Sequence, residues 1–228
     1  MNFDASPVWI SLKTTFTATF ITFFIGIAVA YLMVNYNGKL RNILDTILTL
    51  PLVLPPTVAG FFLLLIFGIN SPIGKSLSKI GINIIFSWPA TVIAAAVVSF
   101  PLMYKTTKAA FEQIDRNIVS AARTLGVSEW KVFWKVVLPL AWPGIGAATV
   151  LSFARALGEF GATLMIAGNI PNKTETIPIA IYFAAENGEM GKALMWVLLI
   201  VAISTIVILL MNYWNDYQQK NIYGVRRN

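Results

Sequence analysis

Long apolar runs alternate with short polar intervals along this chain. The runs cover residues 8–34, 46–68, 88–106, 137–167 and 193–214. About twenty apolar residues in a helix, rising 1.5 Å each, cross a hydrocarbon layer about 30 Å thick. Every run meets that length, so the pattern predicts an all-α polytopic membrane protein with five transmembrane helices. The first run exceeds the core of a cleaved secretory leader, about 7–15 residues, and "MNFDASP" ahead of it carries no Lys or Arg. It is expected to stay as a span. Residues 69–87 are too polar and too broken by glycine for a sixth span and read as a loop. Residues 168–192 read as another loop, in which "IPIAIYFAA" suits a re-entrant or interfacial helix.

Between the third and fourth runs the pattern changes character. Asp115 is placed to cap a helix whose stripe is Ile118, Val119, Ala122 and Leu125, and Gly126 sits where the chain must turn left-handed. Ser128 and Glu129 then start a second short helix with Val132, Phe133 and Val136 on its apolar face, and Pro139 marks the start of span four. A helix of about ten residues is marginal alone, so its apolar and small-residue face needs a support. That support is either the chain's own bundle or a partner, for which Ala121 and Ala122 permit close approach.

Charge orients the spans. With the N-terminus outside, eleven basic residues fall on the cytoplasmic side: Lys39, Arg41, Lys105, Lys108, Arg116, Arg123, Lys131, Lys135, Lys220, Arg226 and Arg227. Five fall outside: Lys13, Lys75, Lys79, Lys173 and Lys192. The positive-inside rule therefore predicts N-terminus out, C-terminus in, and residues 105–136 in the cytoplasm. The net charge of +7 is accounted for by these loops rather than by nucleic-acid binding. Charged residues make up only 12% of the chain, against about a quarter in soluble domains.

Candidate chemistry is sparse. With no Cys and no His, thiolate chemistry, imidazole catalysis and the usual zinc sites are excluded. No cofactor or metal is expected on the chain. "GINSPIGKS" (68–76) imitates a phosphate-binding loop, but Gly68 and Gly74 are one residue too far apart and no strand precedes them. Arg155 and Glu159 interrupt the fourth run. An ionised residue at the bilayer centre costs about 2.5–3.5 kcal/mol on insertion scales, so both should face protein or water. At i,i+4 they can pair, with Thr149, Ser152, Ala156 and Thr163 on the same side. This stripe either lines a path, with Arg155 attracting an oxyanion, or buries an ion pair that fixes helix register. Pro51, Pro55 and Pro56 are expected to kink span two, as pathway lining or as plain packing. Gly158 and Gly161 allow a break or a close helix contact.

The spacing Ala121-Ala122, three residues, Gly126, nine residues, Val136, one residue, Leu138-Pro139 resembles the "EAA" loop of ABC importer permeases. Ser120 stands where that pattern usually has Glu. The stretches "LPLVLPPTVAGFFLLL", "FPLMYK", "AARTLG", "SFARALGEFGATL" and "IPNKTETIPIAIY" are similar to molybdate ABC transporter permeases in order and spacing, and sulfate permeases share "ARALGEFGA". The resemblance implies a type I ABC importer permease, one domain over 1–228, in the inner membrane of a prokaryote. It implies a coupling helix at Asp115, Ser120, Ala121, Ala122, Leu125 and Gly126, docked in a cytoplasmic ATPase subunit that binds the ATP. It also implies an extracytoplasmic oxyanion-binding protein, and a homodimer, since one coupling loop serves each ATPase subunit. Molybdate or the chemically similar tungstate is the expected cargo, with sulfate as the alternative. An ion-driven transporter or channel would need inverted repeats, which the sequence lacks. A membrane enzyme would need convergent acid, base or nucleophile groups.

Overall fold

A computed structural model describes residues 4–223. The described residues form eleven α-helices and one π-helical turn. Arg226 and Arg227, used in the charge count, lie outside them. α1 (Ser6–Asn35) carries Pro7 in its first turn, where an N–H has no helical acceptor to lose. The second span, expected over 46–68 with kinks at Pro51, Pro55 and Pro56, is broken outright at one of them. α2 (Arg41–Val53) and α3 (Pro56–Phe67) meet at 114°. The break falls at Leu54 and Pro55, both extended (ψ 140° and 137°), because a residue before proline is pushed out of the α region. Pro51 lies inside α2. Within the expected 69–87 loop, α4 (Pro72–Lys79) forms because the Ser71 hydroxyl accepts the Gly74 N–H at 2.8 Å.

α5 (Trp88–Glu112) runs well past the expected end at 106. α6 (Arg116–Thr124) follows. The next piece is no separate second helix: α7 (Glu129–Val132), a π-turn at Phe133–Val137 and α8 (Leu138–Leu157) are continuous. Pro139 cannot donate to the Lys135 carbonyl, and just before it the Leu138 N–H reaches back five residues to Phe133. α9 (Gly161–Ala167) completes the fourth run after a break, then come α10 (Ile177–Glu186), within the expected 168–192 loop, and α11 (Met190–Tyr223). Among the described residues four helices are long and apolar enough to cross a membrane, or five if α2 and α3 count as one span.

α5 is the central post, packed against α1, α2 and α8, while α3 lies on α9 and α11 lies on α8 and α10. Lipid tails are as apolar as leucine, so close packing and polar contacts must hold such helices together. Both are present. A Cβ on Gly26 would meet Met103 Cγ at 2.6 Å, and one on Gly60 would meet the Ala162 backbone at 2.8 Å. Thr14 and Thr91 share a buried hydrogen bond of 2.9 Å, and the Trp88 indole N–H donates to Thr14 at 3.0 Å. Ile27, Met33, Met103, Val132, Val137 and Ile145 form one buried cluster joining α1, α5 and the α7–α8 rod.

Candidate functional site: the loop after α5 and the break after α8

The loop is a built turn. The Asp115 carboxylate accepts the Asn117 N–H at 2.8 Å and starts α6. At its other end Gly126 adopts φ +75°, its N–H donates to Arg123 O at 2.9 Å, and the Val127 N–H donates to Ala122 O at 3.4 Å. Those two bonds are the Schellman closure, which needs a left-handed residue at this position. A Cβ on Gly126 would meet nothing within 4 Å, so the requirement there is backbone conformation and not space. Arg123 grips Glu129 with two bonds, 2.7 and 2.9 Å, fastening α6 to the start of α7.

The expected single stripe on α6 is divided between two faces. Val119 and Ala122 pack inward with Val127 on the Tyr31, Phe111 and Val132 cluster. Ile118 and Leu125 face outward, 46% and 82% exposed, with Ser120 and Ala121 exposed beside them. α6 thus stands on its own bundle and still presents an apolar and small-residue face. A polar cavity of about 520 Å³ opens alongside, lined by Asn35, Arg41, Glu112, Arg116, Ser120 and Arg123.

Arg155 and Glu159 do meet, with Nη1 and Oε2 2.8 Å apart, but not along one helix face as the spacing suggested. α8 ends at Leu157, and Glu159 lies in the break. Its other oxygen accepts the Ala162 N–H at 2.8 Å, satisfying a donor in the first turn of α9. The Glu159 side chain is 1% exposed and that of Arg155 28%. The polar stripe points into the bundle. Ser152 is fully buried against Thr22 (3.3 Å) and the Ser99 carbonyl (3.5 Å), Thr163 is buried, and Thr149 bonds the Ile145 carbonyl in its own helix (2.8 Å). The two breaks also touch: a Cβ on Gly161 would stand 3.2 Å from Pro56 and Thr57. Pro51 instead lines an apolar cavity of about 370 Å³ with Ile21, Ile25, Ile47 and Phe100.

The profile of the binding-protein-dependent transport system inner membrane component matches residues 22–218. The chain belongs to that family. Among the relatives of this inner-membrane component, a putative molybdenum transport system permease protein YvgM of Bacillus subtilis (strain 168) is 46% identical over 204 residues, covering 89% of this chain and 90% of that one. The molybdenum transport system permease protein ModB of Escherichia coli (strain K12) is 43% identical over 215 residues, 91% of this chain and 93% of that one. A probable sulfate transport system permease protein, cysT of Chlorokybus atmophyticus, is 34% identical over 94% of this chain and 77% of its own. In fold the component is similar to the inward-facing MetNI methionine ABC transporter, with TM-score 0.72 at 18% identity, 93% of this chain and 94% of that one. It is similar also to a bacterial ABC transporter for alginate import, with TM-score 0.77 at 17% identity, 93% of this chain and 78% of that one. The fold is that of a type I ABC importer permease.

Two groups in this inner-membrane component went unmarked in the sequence. Asp45 accepts from Lys108 Nζ at 2.7 Å and from the Tyr104 hydroxyl, joining α2 to α5. The i,i+4 spacing of Tyr104 and Lys108 was visible, but nothing local pairs them with a carboxylate about sixty positions away. Trp130, in α7, and Trp134, in the π-turn, stand exposed at 71% and 49% with their rings 5.6 Å apart. Their i,i+4 spacing was the available signal.

Proposed function

We propose that this chain is the membrane subunit of an ATP-driven importer of molybdate, and of tungstate by chemical likeness, working as a homodimer. Two copies would enclose the path. A separate ATPase subunit would grip the outward face of α6, Ile118, Ser120, Ala121 and Leu125, on the cytoplasmic side. An extracytoplasmic oxyanion-binding protein would deliver the cargo; one of the similar alginate importer structures contains a substrate-bound periplasmic protein. The observation that carries the reading is the Schellman-closed, two-faced α6, one side seated on the bundle and the other left for a partner. Inverting a 1:99 conformational equilibrium takes about 5.5 kcal/mol of differential binding, which ATP-driven closure of the partner can supply.

Arg155 and Glu159 serve this function as structure. Pairing across the break, with the Glu159 cap on Ala162, supports a register lock over an anion site, because the neighbouring polar stripe is turned into the bundle. The permease then needs no deep anion well, which would slow release. Sulfate is the second reading, favoured by the cysT likeness.

The test is uptake of labelled molybdate by proteoliposomes holding the chain with its ATPase and binding protein, in competition with tungstate and sulfate. ATP-dependent uptake blocked by tungstate and not by sulfate is the expected result; the reverse preference selects sulfate, and uptake without ATP refutes the mechanism. Gly126→Val strains the left-handed turn by about 1–2 kcal/mol. It is expected to leave ATP hydrolysis running while uptake falls.

A further inference from the structure

We propose that Asp45, Lys108 and Tyr104 are positioning residues for transport. They latch α2 to α5, so that the helix leading into α6 carries α2 and its proline corner with it. The inference rests on the functional reading above.

α2 has no buried residue, yet it lies along α5. In a hydrocarbon surround apolar contact by itself favours that position little over lipid contact, and of its apolar residues only Leu48 packs against the main cluster. What specifies its placement is its polar end. Asp45 Oδ1 receives the Lys108 ammonium at 2.7 Å and the hydroxyl of Tyr104, itself fully buried and stacked on Phe100 with centroids 5.9 Å apart. One turn away, Arg41 Nη2 approaches Glu112 Oε1 at 3.4 Å. The side chains of Asp45 and Lys108 are 30% and 15% exposed, so solvent screens their pair less than it does a surface pair.

Both ends of α2 therefore connect to something that matters. Four residues beyond Glu112 the chain enters α6, the proposed handle. At the far end, past Leu54, Pro56 and Thr57 of α3 press on Gly161, two positions from Glu159. α2 is a strut, charge-locked at the handle end and hinged at the Leu54–Pro55 corner. Movement of α6 by a partner is transmitted through Lys108 and Tyr104 to Asp45, and from there to the contact between the two helix breaks.

Spatial order alone does not establish coupling, so the test is a double-mutant cycle in the full complex with its ATPase and binding protein. The readout is molybdate taken up per ATP hydrolysed. Asp45→Asn and Lys108→Met are each expected to lower this ratio about tenfold, within the usual range of coupling between sites. The charge exchange Asp45→Lys with Lys108→Asp is expected to recover most of it. A residue that only stabilises the fold would reduce the amount of assembled complex and its unfolding temperature, leaving the ratio unchanged. Single variants with an unchanged ratio, or an exchange that recovers nothing, overturn the latch. A second readout needs no cargo, and because this chain has no native cysteine it takes label only at the introduced sites before the complex is assembled. Spin labels on Leu44→Cys and Ala109→Cys should keep their separation when ATP is added to the complex, and lose it when Asp45→Asn is introduced. If the unaltered complex moves no molybdate, the functional reading fails, and the label pair still decides the latch: a separation that Asp45→Asn does not disturb refutes it.

Discussion

Glu159 performs two tasks with its two oxygens, and substitution can separate them. Gln keeps an acceptor for the Ala162 N–H and loses only the charge facing Arg155, whereas Ala removes both. Leaving one partner of a buried pair alone costs about 3–5 kcal/mol. Glu159→Ala is therefore expected to lower the unfolding midpoint in detergent sharply and Glu159→Gln to fall between it and the parent; equal midpoints for the two variants would remove the capping role. Glu175, in the loop before α10, is a carboxylate at the wrong end of its range. Burial, then the nearby charge of Asp4, raise its pKa, with Lys192 opposing. Unfolded, it titrates near 4.3. Because the folded value is higher, the unfolded chain loses its proton first as pH rises, and stability falls between the two values and stays lower above both. Glu175→Gln should accordingly raise the unfolding midpoint at pH 7–8 and match the parent near pH 4.

At the scale of elements, the glycines at helix crossings differ in what stands opposite them. Gly26 faces Cγ, near the root of the buried Met103 side chain, which can yield only by turning about its first torsions, but Gly60 faces the backbone of Ala162, which cannot turn at all. Overpacking costs about 1–3 kcal/mol where neighbours must move. Gly60→Ala is expected near the top of that range and Gly26→Ala lower within it, measured by thermal unfolding in the same detergent. The reverse order would show that the α3–α9 contact is loose. That contact holds the proline corner against the break after α8, so Gly60→Ala should also reduce uptake more than it reduces assembly.

As a whole molecule, on the proposed reading, the chain supplies a transport path's wall and a handle for a partner, and "GINSPIGKS" runs into the capped helix α4. The purified chain alone is expected to hydrolyse no ATP above a detergent blank in a phosphate-release assay. Adding the ATPase subunit should yield a complex with two copies of each, read by mass in solution. Hydrolysis by the isolated chain would overturn this division of labour.

Helix content, the long apolar runs, the Asp115 cap and the left-handed turn at Gly126 were legible in the sequence because each depends on near neighbours. Hydrophobic length, a carboxylate two residues from an N–H, and a glycine that alone tolerates positive φ are local facts. The same local reasoning placed the proline corner within a few residues, but could not tell that Pro51 is absorbed while Pro55 breaks the helix, or that α7 runs unbroken into α8. Those outcomes turn on which freed carbonyls find other donors. The inward turn of the Ser152 and Thr163 stripe, the meeting of Gly161 with Pro56, and the grip of Lys108 and Tyr104 on Asp45 were decided only by the fold. Each joins residues distant in the chain, and a periodic pattern shows that a helix has a face without showing what that face will meet.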